Sequence, residues 1–189
     1  MTRMAFVIDL KRCIGCDTCA VGCKMENDVP ASRHRLKVLD PLNEPALERP
    51  TGAYPELKQH WLPTMCHHCD DAPCVAVCPT RALWKRDEDG IVVLDKDRCI
   101  GCRRCEEACP YDALSFDAVT GIADKCSFCD HRLAEGKEPM CQAVCPTRAI
   151  HSGDIDDPES AVSRLVAERD TYRLGESSGA GPQIHYLKP

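Results

Sequence analysis

The apolar positions of this chain fall in short runs set between turn-forming residues, and two of these runs read as strand, turn, strand. Residues 82–85 lead into the turn Asp87-Glu88-Asp89-Gly90 and then into the β-rich residues 91–94. Residues 113–116 lead into a turn closing on Gly121 and a short strand that ends at Cys126. Each hairpin follows a cysteine-rich loop and a short helical stretch, so loop, helix and hairpin alternate. The tail departs from this plan. Asp157-Pro158-Glu159 predicts an N-cap with proline at the first helical position, and Val162, Leu165 and Val166 supply one apolar face of a short helix. Beyond it, residues 175–181 have the composition of a linker, and Gln183-Ile184-His185-Tyr186-Leu187 reads as an arm.

Residues 24–65 also stand outside the plan. They contain Pro30, Pro41, Pro45, Pro50, Pro55 and Pro63, which predicts mostly loop, lying over the surface or against a partner. The apolar run at residues 4–10 is interrupted by Asp9 and followed by Lys11, Arg12 and Cys13, so it fits neither a signal peptide nor a membrane span. No other segment approaches the ~20 apolar residues a span needs. The expectation is a soluble chain with no export signal of its own.

Composition changes the picture through one residue type. Cysteine reaches 16 of 189 residues while aromatic residues make up only 5%, a balance found where metals or cross-links replace part of an apolar core. Charge adds an exclusion. Lys and Arg number 24 against 30 Asp and Glu, a net charge of -6, and no stretch concentrates enough basic residues to track a nucleic-acid backbone.

The cysteines form four groups with none left over: Cys13, Cys16, Cys19, Cys23; Cys66, Cys69, Cys74, Cys78; Cys99, Cys102, Cys105, Cys109; and Cys126, Cys129, Cys141, Cys145. Groups one and three have the spacing Cys-x2-Cys-x2-Cys-x3-Cys, in which three thiolates on a tight loop reach three corners of one [4Fe–4S] cubane and the fourth ligates another cluster. Groups two and four lengthen one internal gap, to four residues after Cys69 and eleven after Cys129, and groups two to four all end in Cys-Pro. Closed zinc sites and disulfide frameworks also use paired cysteines, but neither needs three in one loop followed by a fourth and Pro. Spacing alone leaves the pairing of groups open, because the gaps from Cys78 to Cys99 and from Cys109 to Cys126 are similar.

Other residues carry less information. His67 and His68 lie inside the Cys66–Cys69 loop, where a histidine can replace a thiolate as in Rieske centres; with four cysteines present, surface positions or positions behind the ligands are the expectation. Lys24, Arg81, Arg103, Arg104, Lys125 and Arg148 flank cysteines and can offset anionic charge or simply be solvated. Trp61 and Trp84 fit either packing or an interface. There is no nucleophile–base–orienter set, phosphate-cradling glycine loop or dinucleotide fingerprint, which argues for an electron carrier rather than an enzyme.

Cys19-Ala20-Val21-Gly22-Cys23-Lys24-Met25-Glu26-Asn27, Cys78-Pro79-Thr80, Cys109-Pro110-Tyr111-Asp112 and Lys125-Cys126-Ser127-Phe128-Cys129 together closely resemble the four-cluster subunit of dimethyl-sulfoxide-reductase-type molybdenum or tungsten bis-pterin oxidoreductases, nearest the polysulfide and thiosulfate reductase kind. The resemblance runs from Met4 to about Glu159, and more loosely through the tail. It implies an α+β fold of tandem bacterial-type ferredoxin repeats with a loop insertion and a C-terminal helix and arm. Residues 1–155 would form the four-cluster domain, groups one and four (1–24 and 120–155) making one half, groups two and three (62–119) the other, with the insertion at 24–65; residues 156–189 would carry the helix and arm.

The resemblance also implies the ligand sets: Cys13, Cys16, Cys19 with Cys145; Cys23, Cys126, Cys129 with Cys141; Cys66, Cys69, Cys74 with Cys109; and Cys99, Cys102, Cys105 with Cys78. In that order they would run from the catalytic partner toward the membrane. Some relatives have a [3Fe–4S] cluster through loss of a group-three cysteine; all four are present here, so four [4Fe–4S] clusters are expected. Lys24 stands where the other groups have Pro, as it does in the family. The implied partners are a large bis-pterin catalytic subunit and an integral-membrane quinone-reactive subunit. Such subunits are usually co-exported through the partner's twin-arginine signal, so an exoplasmic or periplasmic site fits, as does a cytoplasmic one. A free polyferredoxin serving several enzymes is the alternative, disfavoured by the ~40-residue insertion.

Overall fold

The computed structural model describes residues 2–40 and 50–189. In chain order the elements are β1 Met4–Asp9, α1 Thr18–Glu26, β2 Leu36–Leu39, β3 Leu62–Met65, α2 Pro73–Ala76, β4 Leu83–Lys85, β5 Val92–Leu94, α3 Arg104–Ala108, β6 Leu114–Phe116, β7 Ala123–Lys125, α4 Asp130–Ala134, α5 Met140–Ala143, β8 Ile150–Asp154, α6 Ala161–Glu168, β9 Thr171–Tyr172 and β10 Ile184–Leu187. The two expected hairpins are present as β4–β5 and β6–β7, with Leu83 opposite Leu94 and Leu114 opposite Lys125. Four of the helices have only four or five residues, too few to hold together without tertiary support.

The largest sheet has the order β8-β1-β10-β9. Its centre joins the two ends of the chain: β1 runs parallel to β10, with Phe6 opposite Ile184 and Ile8 opposite Tyr186, and antiparallel to β8. The segment expected as an arm is therefore an inner strand, with Ile184, Tyr186 and Leu187 fully buried. The stretch at 175–181 is likewise tied down, since the carbonyls of Ala180 and Gly181 accept from the backbone N–H groups of Asp71 and Asp70.

The tail helix exists but starts later than expected. Ser160 is its N-cap, accepting from the Ser163 N–H at 3.1 Å, while Asp157 shapes the turn before it by accepting from the Glu159 N–H at 2.9 Å. Val162, Leu165 and Val166 pack on Val7 and Leu187, as the apolar face requires.

The insertion is less loop-like than its prolines suggest. Its two ends pair as the antiparallel ribbon β2–β3, with Val38 opposite Pro63, and Leu36, Val38, Leu62 and Met65 enter the main core. Pro63 is tolerated because the ribbon has only two strands, and its carbonyl accepts from the buried Tyr186 hydroxyl at 3.0 Å. Pro41 and Pro45 lie outside the described residues.

Candidate metal centres

The four cysteine loops share one backbone device. The residue just before the second cysteine has a left-handed conformation in all four: Gly15 (φ 69°), His68 (φ 44°), Gly101 (φ 66°) and Phe128 (φ 61°). Glycine meets that demand without strain in groups one and three. In groups two and four a bulky residue is held by burial instead: Phe128 stacks on Phe6 at 4.0 Å and meets the His68 ring edge-on at 5.3 Å, while His68 Nδ1 accepts from the Val92 N–H at 3.1 Å. A second device follows each Cys-Pro step, where the residue three beyond the cysteine is left-handed: Arg81, Asp112 and Arg148. That bend turns the following N–H groups back onto the sulfur. At Cys145 the Ala149 N–H reaches Sγ at 3.2 Å and the Thr147 hydroxyl lies at 3.7 Å; at Cys78 the Thr80 hydroxyl lies at 3.8 Å.

None of the sixteen cysteines is in a disulfide. Cys66, Cys69, Cys74 and Cys109 line one cavity with His67, Val92 and Leu114, and Cys78, Cys99, Cys102 and Cys105 line another with Leu83, Leu94 and Phe116. The two are alike in size, each about 320 Å³ of empty space with its mouth included. In the other half, Cys13 and Cys19 lie within electrostatic reach of Cys16 and Cys145, and Cys141 within reach of Cys23, Cys126 and Cys129. Helix α1, carrying Cys19 and Cys23, packs on α5, which carries Cys141 and precedes Cys145; α2 and α3 pair in the same way. Neighbouring sets lie within electrostatic reach of each other, through Cys19 with Cys141 and Cys66 with Cys126.

The electrostatics suit a ligand that removes protons. Burial, followed by the charge of neighbouring cysteines, pushes the thiols of Cys19, Cys69 and Cys74 up to about 12, and burial also raises those of Cys126 and Cys141 well above the ordinary thiol value. Without a metal these groups stay protonated; on coordination the metal would take the place of each proton on sulfur, and the protons would pass to solvent. Cys145 and Cys78 behave oppositely. Burial raises them, but the N–H groups and threonine hydroxyls after each Cys-Pro step outweigh it and bring both below the ordinary thiol value.

Among the described residues no three His, Cys, Asp or Glu side chains converge at the spacing of a single bound ion. In two of the sets the thiols ring a void, as a four-cornered cluster needs, rather than closing on a point as four zinc ligands do.

His67 and His68 are not surface residues; both are 1% exposed. The His67 ring stacks on Tyr111 at 3.9 Å as part of a cavity wall, and burial lowers its pKa to about 3, so it is neutral. Of the six basic residues beside cysteines, only Lys125 is buried. Lys24 instead pins the start of the insertion, donating to the carbonyls of Pro30 and Ala31 at 3.1 and 2.9 Å. Trp61 packs on the main core and lies over Gly15 in the first loop, whereas Trp84 is 40% exposed.

Arg35 and Asp124 did not stand out in the sequence, and Asn27 did so only as the end of the motif that begins at Cys19, with no role assigned. Arg35 is paired bidentately with Asp124 at 2.8 and 2.7 Å and donates to Asn27 Oδ1 at 2.9 Å. This fixes the Asn27 amide with its NH2 toward the sulfurs of Cys23 and Cys129, at 3.8 and 3.9 Å. The available signal was the position of Asn27 one helical turn beyond Cys23.

Comparison with known proteins gives the same picture. Two 4Fe-4S dicluster domain families match, one over residues 57–155 and one over residues 12–83. The thiosulfate reductase electron transfer subunit of Salmonella typhi is 47% identical over 95% of this chain and 90% of its own length. A subunit of the tetrathionate reductase of Salmonella typhimurium is 43% identical over 98% of the chain and 72% of its own length. The arsenate respiratory reductase iron-sulfur subunit of Shewanella is 33% identical over 98% and 96%. Two dicluster domains and sixteen cysteines amount to four [4Fe–4S] clusters.

Proposed function

Since the chain belongs to the family of 4Fe-4S dicluster iron–sulfur subunits of reductase complexes, we propose that it relays electrons between a quinone-reactive membrane subunit and a molybdenum or tungsten bis-pterin catalytic subunit. It is an electron-transfer subunit and not the catalytic chain. The ligand sets we assign are Cys13, Cys16, Cys19, Cys145; then Cys23, Cys126, Cys129, Cys141; then Cys66, Cys69, Cys74, Cys109; then Cys78, Cys99, Cys102, Cys105. Each cluster, when bound, accepts and passes on one electron. The chain's own residues hold the thiolates, direct N–H groups at their sulfurs and keep water from the inner sets.

The observation that carries the relay is a gradient of burial along this order. In the two inner sets seven of the eight cysteines are buried and none is exposed, while each outer set has one exposed cysteine, Cys16 or Cys102. Each exposed cysteine has an exposed isoleucine two residues before it, Ile14 at 59% and Ile100 at 66%. A buried middle with two open, apolar-rimmed ends suits a path that receives electrons from one partner and delivers them to another. Among the described residues no helix is long and apolar enough to cross a membrane, so membrane association would come through the partner. An exoplasmic face reached by co-export is the site we favour, with the cytoplasmic face as the alternative.

The orientation is tested by serine substitution at the two ends. Cys102→Ser should abolish quinol-linked turnover of the complex while largely sparing activity from a small artificial donor dye that enters nearer the catalytic chain. Cys16→Ser should lower both activities or block assembly. If Cys102→Ser spares quinol-linked turnover and Cys16→Ser removes only that activity, the relay runs the other way.

A further inference from the structure

Lys125, at the end of β7, is only 3% exposed, a rare position for an ammonium. Its Nζ donates to the carbonyl of Val92 on β5 and, at 2.9 Å, to that of Cys126. The adjacent carboxylate of Asp124 is taken by Arg35 at 2.7 Å and Lys96 at 3.4 Å, and among the described residues no acid pairs with Lys125. Two carbonyl dipoles do not neutralise a buried cation, and burying a charge without an opposite one is strongly unfavourable. The anions within its electrostatic reach are cysteine sulfurs of both inner sets, Cys74 of one and Cys126 of the other. Val92 lines the cavity of Cys66, Cys69, Cys74 and Cys109, and Cys126 belongs to the neighbouring inner set. The ammonium thus sits at the seam between the two inner sites, each of which becomes anionic when four thiolates hold a cluster.

We propose that Lys125 is the buried counter-cation shared by the two inner clusters, and that its charge raises both their reduction potentials while leaving the outer two little changed. This rests on the ligand sets assigned above. The physical reason is direct: reduction adds one negative charge to a cluster, and a fixed positive charge in a poorly polarisable interior favours that change. A relay gains from it because the inner clusters, shielded from water, would otherwise be the hardest to reduce.

The test uses the complex purified anaerobically, with Lys125→Arg, Lys125→Gln and Lys125→Met beside the parent, and reads each cluster's midpoint by redox titration with electron paramagnetic resonance. In the neutral variants two of the four midpoints should move to lower potential, each by a tenfold or greater change in the reduction equilibrium constant, about 59 mV for one electron. Lys125→Arg should stay near the parent. Loss of the inner clusters in both neutral variants but not in Lys125→Arg would also support the proposal, since charge would then be needed for assembly. Unmoved midpoints in a fully loaded neutral variant, an equal shift of all four, or an arginine variant as impaired as the neutral ones would overturn it. A parent complex without four clusters would instead sink the underlying ligand assignment.

Discussion

Replacing Arg35 with methionine should be among the most damaging changes away from the cysteines. The side chain is 9% exposed and its partner Asp124 only 5%, so the substitution strands a buried carboxylate. Asp124 is held below its ordinary 3.8: burial raises it, but the Arg35 hydrogen bonds and charge, then Lys96, outweigh that, so it stays ionised at neutral pH. Breaking a buried pair from one side costs about 3–5 kcal/mol. Lys96, 3.4 Å away but 60% exposed, recovers little of this. Asn27 loses the hydrogen bond that orients its amide, adding about 1 kcal/mol. For a chain of this size 1 kcal/mol moves the melting temperature by about 2–4 °C, so a total loss of about 4–6 kcal/mol lowers it by about 8–24 °C. The assay is an anaerobic melt followed by circular dichroism at one fixed scan rate, because cluster loss makes unfolding irreversible. Arg35→Met with Asp124→Leu removes both charges and should recover more than half of the loss. A single variant within about 2 °C of the parent, or a double variant no better than the single, would refute the reasoning.

Gly15→Ala should impair the first loop, since its Cβ would stand 2.4 Å from the Trp61 ring at a φ of +69°; the conformation alone costs about 1–2 kcal/mol, so loss of about four iron per chain is expected, and adding Trp61→Ala should restore only part. Asp9, buried and paired with Arg169, is held below its ordinary 3.8 because the Arg169 hydrogen bonds and charge, with the Lys11 and Arg12 N–H groups, outweigh burial. Its contribution is therefore complete above pH 3.8 and lost as pH falls through the lower folded value, so the stability gap between the parent and Asp9→Asn should hold above pH 3.8 and narrow below it. Removing iron with a chelator should melt α2 to α5, whose four or five residues cannot hold alone, and far-ultraviolet circular dichroism should lose helical signal; an unchanged spectrum would mean that the loops fold without metal.

Local pattern was enough for the β4–β5 and β6–β7 hairpins, because each alternates over a few residues and turns at a glycine, Gly90 or Gly121. It was not enough for β10, since nothing in Ile184-His185-Tyr186-Leu187 announces a parallel partner at residues 6–9. The β2–β3 ribbon was hidden by its prolines, as Pro63 lies inside a strand. At the tail helix two capping residues stand three apart, and the sequence does not say that Asp157 shapes a turn while Ser160 starts the helix. The cysteine groups were legible because cubane geometry dictates their spacing. The residues behind them were not, although aligning the four loops on their second cysteine sets His68 and Phe128 opposite Gly15 and Gly101, a hint that both adopt a left-handed conformation and need support from the core.

The central claim is that four complete thiolate sets each hold a cubane, and it is tested most directly by iron, acid-labile sulfide and zinc analysis of the anaerobically purified chain. About 16 iron and 16 sulfide per chain are expected, with no stoichiometric zinc. Zinc as the main metal, intact disulfides, or an iron content of about eight or less in protein never exposed to oxygen would contradict it.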